Sequence, residues 1–469
     1  MMTTFDAWPK RWPQLLLLAG LASLIALVPL PWVLLGVAGG WGVVLLLRFP
    51  WVIWPLLAFA LPFSSAISIG PASVTEVLLL LAVILWFVDG VRRESLQLKF
   101  SFPACLFFCY AMIQLALLSF AVDLVEAIPE VLKWVEILLV LLLLQGMMPP
   151  KRRSWVIYAL LCAGISQGIW GVVQFLFQIG PINFLLFDRF MRASGTFAQP
   201  NPYAGYLGTL LPVALSLAFY RLLEARRVQR EAESLNYMEL LFFIIAASAI
   251  TAGMLASWSR GGWLGTMAGL GAVLILRSRL AVVWSLVGGG VLILLLMVSS
   301  LNMDLIPSAV QERVGSVTVY LGVGLEEVLN EEVHDGNFSV IERMAHWKAA
   351  ILIWQENWWV GVGAGGYETA YPQAIQQDLR LLLWENPLGH AHNIYLNILA
   401  ETGVIGLLSY LTLFGSLLVW VGLKSGQSVL ALGILGVFAH LATHNFFDNL
   451  YVQGIYLHLG FWLAILDSE

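Results

Sequence analysis

Apolar stretches long enough to cross a lipid bilayer recur along nearly the whole chain. A spanning helix needs about 20 apolar residues, and runs close to that length follow one another with short polar breaks. Charged residues make up 11% of the 469 residues, whereas soluble domains contain roughly 25%. Only helices or closed barrels satisfy every backbone group in lipid, and the long unbroken runs exclude a barrel. The sequence therefore predicts an all-α polytopic membrane protein.

The hydropathy pattern predicts about 12–14 transmembrane helices, among them spans at 14–29, 281–300 and 450–466, arranged in three parts. Residues 1–300 contain the N-terminal helices, residues 301–393 form one large periplasmic loop with helices of its own, and residues 394–469 contain the C-terminal helices. Most basic residues fall on alternate loops, which predicts that both termini are cytoplasmic. The basic residues that break this bias lie on the outer side: Arg189, Arg192, Arg260, Arg313, Arg343, Lys348 and Arg380.

The large loop is about ninety residues long, which is too long for a simple connection. The sequence in the middle of this loop predicts a helix over residues 342–360. Trp347, Trp354 and Trp358 recur at spacings of seven and four, so they share one face of that helix. A tryptophan face of this kind suits a helix that lies at the membrane interface.

Polar residues cluster where the large loop meets the next apolar segment. His390, His392 and Asn393 stand just before a helix that continues through Glu401. Ionisable residues at such a place indicate a functional site. Asn393, Asn397 and Glu401 follow one another at four-residue steps, so they form one polar stripe that must face the interior of the bundle. Glu401 lies on the face opposite His392, and we expect it to have a structural or relay role.

Three arginines are predicted on the same side of the membrane as His392. Arg260 lies between two tryptophans and beside two glycines, and Arg343 lies in the large loop. Arg192 lies in the segment 189–202, which also contains Asn201 and predicts a rigid re-entrant or loop element. Arginine clusters bind phosphates through paired hydrogen bonds and fixed charge. At a membrane surface, the natural ligand is a lipid-linked diphosphate. A histidine beside it can act as general base for a hydroxyl group.

The same motifs argue against several other ligands. His390 and His392 are two residues apart without a cysteine or a third clustered histidine, so we expect neither a metal nor another cofactor. The segment Gly361–Gly366 lacks the preceding strand and the following Lys-Ser/Thr pair of a phosphate loop, so we interpret it as a turn. The basic residues are scattered through short loops of a membrane-bound chain, which excludes nucleic acid as a partner.

Five segments, in order between about residues 190 and 410, resemble the O-antigen ligase and polymerase (Wzy-C type) superfamily of bacterial envelope glycosyltransferases. They are Arg192-Ala-Ser-Gly-Thr-Phe-Ala-Gln-Pro-Asn, Ser259-Arg260-Gly261-Gly262, Glu342-Arg343-Met-Ala-His-Trp347, Gly361-Val-Gly-Ala-Gly365, and His392-Asn393 followed by Gly403. The resemblance implies an enzyme of the bacterial inner membrane. Such an enzyme takes a glycan from undecaprenyl diphosphate at the periplasmic face and moves it to a hydroxyl group of a lipid A–core or other glycan acceptor.

The resemblance also implies residue roles. By motif position His392 resembles the catalytic histidine of the family, and Arg260 and Arg343 resemble the arginines that bind the diphosphate. We add Arg192 to this phosphate site. The supporting residues are Asn393, which would orient the imidazole, together with His390, Glu401 and Asn201. The implied reaction is inverting and needs no metal, because diphosphate is already a good leaving group; its partners are the lipid-linked donor, the acceptor and the membrane lipid.

Other functions stay open at this point. A ligase moves finished chains to a lipid or core oligosaccharide, a polymerase joins repeat units to one another, and a third enzyme of this kind would glycosylate a protein such as a pilin. The residues around the site do not distinguish them. The chain also resembles in part the cyanobacterial proteins once described as inorganic-carbon transporters. A small-anion transporter should have broken helices at mid-membrane in repeated halves, whereas the charged motifs here lie at one face.

Overall fold

The computed structural model describes residues 30–70, 72–186, 189–231, 237–277, 324–334, 337–385 and 389–467. Two short antiparallel hairpins join β1 (Ser68–Ile69) to β2 (Ala72–Ser73) and β3 (Leu185–Leu186) to β4 (Phe190–Met191). The α-helices are α1 Leu30–Arg48, α2 Ile53–Ala60, α3 Val74–Arg92, α4 Phe102–Leu117, α5 Leu124–Met147, α6 Ser154–Phe177, α7 Pro200–Gly208, α8 Leu211–Glu231, α9 Tyr237–Ala256, α10 Arg260–Arg277, α11 Leu325–Val328, α12 Phe338–Glu356, α13 Tyr367–Gln377, α14 Ile394–Ser425, α15 Val429–His444 and α16 Leu457–Leu466. Short 3₁₀ turns occupy Pro50–Val52, Leu61–Phe63, Leu118–Phe120, Pro150–Arg152, Ile182–Phe184 and Leu379–Trp384.

Within the described residues, six helical segments are long and apolar enough to cross a membrane. They are Val74–Arg92, Phe102–Phe120, Pro150–Phe177, Pro200–Arg226, Tyr237–Ala256 and Ile394–Ser425. The pair Gly39–Arg48 and Pro50–Phe63, bent by 114°, makes a seventh if it counts as one span. The predicted all-α polytopic class is confirmed. The predicted spans at 14–29 and 281–300 lie outside the described residues, and the total of 12–14 stays a prediction.

The last helices are shorter than hydropathy predicts. The predicted span at 450–466 is a helix only over Leu457–Leu466, because residues 445–456 form an irregular buried stretch. In that stretch the side chain of Asn445 accepts a hydrogen bond from the backbone of Leu450, and Asn449 accepts one from Tyr451. Asparagine and aspartate side chains compete with helical hydrogen bonds in this way. This irregular stretch places Asp448 in the interior of the protein.

The large loop has a hydrophobic core of its own, formed chiefly by α12, α13 and residues close to them. Its main helix is Phe338–Glu356, so the predicted bounds 342–360 were placed about one turn too late. Trp358 and Trp359 follow the helix and lie half exposed, and their rings contact each other at a tilted angle with centroids 4.5 Å apart. The prediction that Trp358 shares a helical face with Trp347 is therefore wrong.

The loop docks on α14 at a break in that helix. Gly403 has φ 63° and ψ −164°, a conformation that is essentially restricted to glycine. The backbone N–H groups beside the break donate to carbonyl groups of the tryptophan pair, from Val404 to Trp358 at 2.9 Å and from Ile405 to Trp359 at 3.2 Å. From the other side, Gly363 donates to the carbonyl of Glu401 at 2.7 Å. The segment Gly361–Gly366 is therefore a turn, as predicted, and its backbone contacts the backbone of α14.

Replacing Gly403 by alanine should destabilise the protein strongly. A side chain in this backbone conformation costs on the order of 1–3 kcal/mol, and the added Cβ would lie 2.3 Å from the carbonyl carbon of Trp359. The matched control is Gly415→Ala in the same helix, where a Cβ meets nothing within 4 Å. Thermal unfolding in detergent should show a lower midpoint for Gly403→Ala and an unchanged or higher one for Gly415→Ala. Equal midpoints would contradict the role of the break.

Candidate active site

His392 is held in a fixed position at the junction of the loop and α14. Its backbone has φ 50°, an uncommon conformation for a residue with a side chain. On one side, Asn397 accepts a hydrogen bond from the backbone of Ala391 at 2.9 Å. On the other side, Asn393 caps α14 by accepting hydrogen bonds from two N–H groups of the first turn. His390 Nδ1 accepts one from the backbone of His392 at 3.2 Å.

Asp448 is the residue that faces the imidazole of His392. Its Oδ1 lies 3.5 Å from His392 Nδ1 and 4.0 Å from His390 Nε2. Burial would raise the pKa of Asp448, but the contact with His392 and the nearby positive charges outweigh it and hold the pKa well below its usual range. Asp448 is therefore better placed than Asn393 to orient the imidazole, because the side-chain oxygen of Asn393 caps the helix.

The second nitrogen of His392 faces no protein partner. His392 is buried, with 5% of its surface exposed. Its Nε2 has no hydrogen-bond partner among the described residues. A buried polar atom without a partner costs about 1–3 kcal/mol, so this atom is expected to meet a ligand. Imidazole nitrogens can accept a proton or bind a metal.

Arg260 and Arg343 meet at one residue of the loop helix. Arg260 Nη2 donates to the hydroxyl group of Ser339 at 2.6 Å, and Arg343 Nη1 donates to the carbonyl of the same residue at 2.6 Å. Arg343 Nε also donates to the carbonyl of Phe447 at 3.1 Å. This last contact places Arg343 beside the residue that precedes Asp448, so the arginines and the histidine share one site.

Arg192 joins the two other arginines. Its Nε donates to the carbonyl of Ser257 at 3.1 Å, and its Nη2 donates to Asn201 Oδ1 at 3.0 Å. Burial, and then the charges of Arg343 and Arg260, lower the pKa of Arg192 to about 9. It still carries its charge at neutral pH. The three predicted arginine segments therefore converge, and Asn201 links two of them because it also accepts from the hydroxyl group of Ser259 at 3.0 Å.

The segment that carries Arg192 is held rigidly by two glutamines of α6. Gln174 Oε1 accepts from the backbone of Ser194 at 3.0 Å and of Gly195 at 2.8 Å. Gln167 Oε1 accepts from the backbone of Thr196 at 3.0 Å. Gly195 has φ +60°, and a Cβ there would lie 2.6 Å from Gln167 Oε1. These contacts hold the predicted rigid loop against the helices of the bundle.

Glu401 lies apart from the arginine group. It is buried, and its backbone carbonyl accepts a hydrogen bond from Gly363 at 2.7 Å. Its backbone therefore supports the glycine turn, and the structural or relay role expected for Glu401 stays a prediction.

Two residues near His392 were missed by sequence reasoning. One is Asp448, whose only signal was an ionisable side chain between two apolar stretches. The other is His346, whose ring centroid lies 5.5 Å from that of His392. The expectation that no third histidine accompanies His390 and His392 was therefore wrong. His346 stands in the same segment as Arg343, one helical turn after Glu342.

Among the residues that the structure describes, two groups of side chains could hold a metal ion. One group is Glu342, His346 and His392, and the other is His390, His392 and Asp448. In each group the ligand atoms lie within 4.8 Å of one another. Both groups share His392, so the chemistry available to this imidazole includes metal binding as well as proton transfer.

Residues 242–411 match the model of the O-antigen ligase family, Wzy-C. This stretch, which we call the O-antigen ligase domain, is similar to that family. The superfamily predicted from the five motifs is confirmed, and it is a family of glycosyltransferase-type ligases and polymerases. A search of curated proteins finds no significant match.

The O-antigen ligase domain contains only part of the site. Arg260, Arg343 and His392 lie inside the matched range, whereas Arg192 and Asp448 lie outside it. The fold brings the outer residues to the domain through the rigid loop before α7 and the irregular stretch before α16. The membrane helices on both sides of the O-antigen ligase domain are therefore part of the site.

Proposed function

We propose that this protein is an O-antigen ligase-type glycosyltransferase. It would move a glycan from undecaprenyl diphosphate to a hydroxyl group of a lipid A–core or other glycan acceptor. The observation that carries the proposal is the buried His392, with Asp448 3.5 Å from Nδ1 and no hydrogen-bond partner at Nε2 among the described residues, next to an arginine cluster that Arg343 links to the segment of Asp448. A general base next to a cluster of fixed positive charge suits attack by a hydroxyl group on a diphosphate-activated sugar.

In the proposed reaction, His392 Nε2 accepts the proton of the acceptor hydroxyl group. The oxygen then bonds to the anomeric carbon while the bond from that carbon to the diphosphate oxygen breaks. The electron pair of this bond leaves with undecaprenyl diphosphate, and the anomeric configuration inverts because the step is a single displacement. Arg192, Arg260 and Arg343 stabilise the charge that develops on the leaving group. Asp448 stabilises the imidazolium ion that His392 becomes.

The diphosphate needs no metal in this proposal, because the guanidinium groups supply the positive charge that a metal would otherwise provide. We also propose that the protein lies in the bacterial inner membrane with both termini in the cytoplasm. The site would then face the periplasm, as the outer position of Arg192, Arg260 and Arg343 in the charge pattern indicates. The division of the chain at residues 301 and 394 is part of the same proposal.

His392→Ala should reduce glycan transfer by about 10²–10⁴-fold, the usual effect of removing a general base. The assay reconstitutes the purified protein with an undecaprenyl-diphosphate oligosaccharide and an envelope acceptor fraction, and it measures glycan mass on the product. The control is His334→Ala in the same loop, where the exposed side chain lies outside the site. Near-normal transfer by His392→Ala would rule out the base. Product length then separates a ligase, which adds one chain, from a polymerase.

Arg260→Lys and Arg343→Lys should each lower kcat/KM for the donor about tenfold or more, because lysine keeps the charge but loses the planar fork that binds phosphate in pairs. The control is Arg380→Lys in the same loop, since Arg380 bonds to Asp378 and Glu326. All variants are assayed with the same donor over a range of concentrations. Full activity in both site variants would mean that these arginines only hold the loop to the bundle.

Asp448→Asn should lower kcat by between about 10-fold and 10⁴-fold with little change in the KM of the donor, because the imidazolium ion loses its counter-charge. Asp448→Glu should restore part of kcat. Asp378→Asn, which removes a loop carboxylate bonded to Arg380, is the matched control. A rise in KM together with a lower unfolding midpoint, and no rescue by glutamate, would show that Asp448 only supports the fold.

A further inference from the structure

The geometry points to a binding site for a divalent transition metal of the zinc class, formed by Glu342, His346 and His392. Glu342 and His346 are four residues apart on α12, so their side chains leave the same face of the helix. This spacing of two ligands on one helical face recurs in zinc sites. His392 reaches the face from the junction with α14, and the three ligand atoms lie within 4.8 Å of one another.

His346 has one ring nitrogen in a polar contact, and His392 has a carboxylate near one of its two ring nitrogens, neither of which has a hydrogen-bond partner among the described residues. His346 Nδ1 lies 3.1 Å from the hydroxyl group of Tyr367, and His392 Nδ1 lies 3.5 Å from Asp448 Oδ1. Histidines that bind metals are usually held in this way, with the other ring nitrogen bonded to a carboxylate or another polar group. The Nε2 atom of His392, which is buried and unpartnered among the described residues, is then the ligand atom.

The donor set selects the class of metal. Two imidazoles and one carboxylate bind zinc in sites that keep a fourth position open, whereas Mg²⁺ and Ca²⁺ prefer oxygen ligands. Ligand atoms on one tetrahedral zinc lie roughly 3.4 Å apart. The ligand atoms must therefore approach by roughly an ångström, through rotation of all three side chains. His346 and His392 are both buried, so the ion would be enclosed.

The alternative group of His390, His392 and Asp448 fits less well. It would bind through His392 Nδ1 and turn Asp448 from an orienting partner into a ligand. His392 Nε2 would then stay buried without a partner. The group with His346 instead gives every ring nitrogen of His346 and His392 a neighbour.

Metal binding at this site and the proposed transfer exclude each other. A metal on His392 Nε2 occupies the lone pair that would accept the proton of the acceptor. Bound zinc should therefore inhibit transfer without taking part in it. This consequence rests on the proposed function, whereas the metal site itself does not.

The test measures binding without any glycan donor. Full-length, tag-free protein in detergent is titrated with Co²⁺, whose visible absorption reports coordination, and Zn²⁺ is then added to displace it. We expect one ion per chain. His346→Gln and Glu342→Gln should weaken binding more than about 100-fold, and Asp448→Asn by about 10–100-fold. The controls are His334→Gln and Glu327→Gln, which change an exposed histidine and an exposed carboxylate of the same loop and should bind as the parent protein does.

The outcomes separate this site from the proposed function. No binding by the parent protein, equal binding by His346→Gln, or loss of binding in His390→Asn but not in His346→Gln would overturn the site. Binding that follows the expected pattern, in a protein that transfers no glycan, would leave the site established and the proposed function refuted. Where transfer is observed, Zn²⁺ should inhibit the parent protein and not the residual transfer by His346→Gln. Transfer that requires added Zn²⁺ would overturn the inhibitory role.

Discussion

The backbone contact between the loop and the break in α14 fixes the geometry of the whole site. Hydrogen bonds on both sides of Gly403 replace those that the helix gives up there, which is how a broken helix is tolerated in a membrane protein. Through this contact α12 is held against α14, and Arg343 and His346 are brought to His392. Without this contact, α12 would not be held against α14, and Arg343 would not be brought to His392.

The second constraint is the crowding of like charges. Arg192, Arg260 and Arg343 come from three distant segments, and bringing them together costs free energy because each guanidinium group loses water beside two others. The lowered pKa of Arg192 expresses this cost. The hydrogen bonds to Ser257, Asn201 and Ser339 fix their positions and leave their charge in place. An anion with several charges, such as a diphosphate, would offset the repulsion when it binds.

Sequence patterns predicted the helices and the motif residues but not the residues that contact the motif residues. Apolar runs and the spacing of His392, Asn393 and Gly403 are local signals, so they predicted the membrane class and the start of α14. Asp448 and His346 were missed because their meaning depends on contacts across about 56 and 46 residues of sequence, which no local pattern encodes. The short α16 was missed for a different reason: local hydrogen bonds from the backbone to the side chains of Asn445 and Asn449 outweigh the hydropathy of that stretch.

Burial keeps two histidines of the site neutral, whereas the arginines keep their charge. Burial, more than the neighbouring positive charges, lowers the pKa of His390 to about 4 and the pKa of His346 to about 3. Both rings are therefore neutral at neutral pH, and the fixed positive charge of the site comes from the guanidinium groups. Neutral imidazoles keep a lone pair, which is the property that both proton acceptance and metal binding require. Under the proposed function, a site that deprotonates a hydroxyl group beside a diphosphate would therefore also have the donor atoms of a metal site, because the same desolvation serves both.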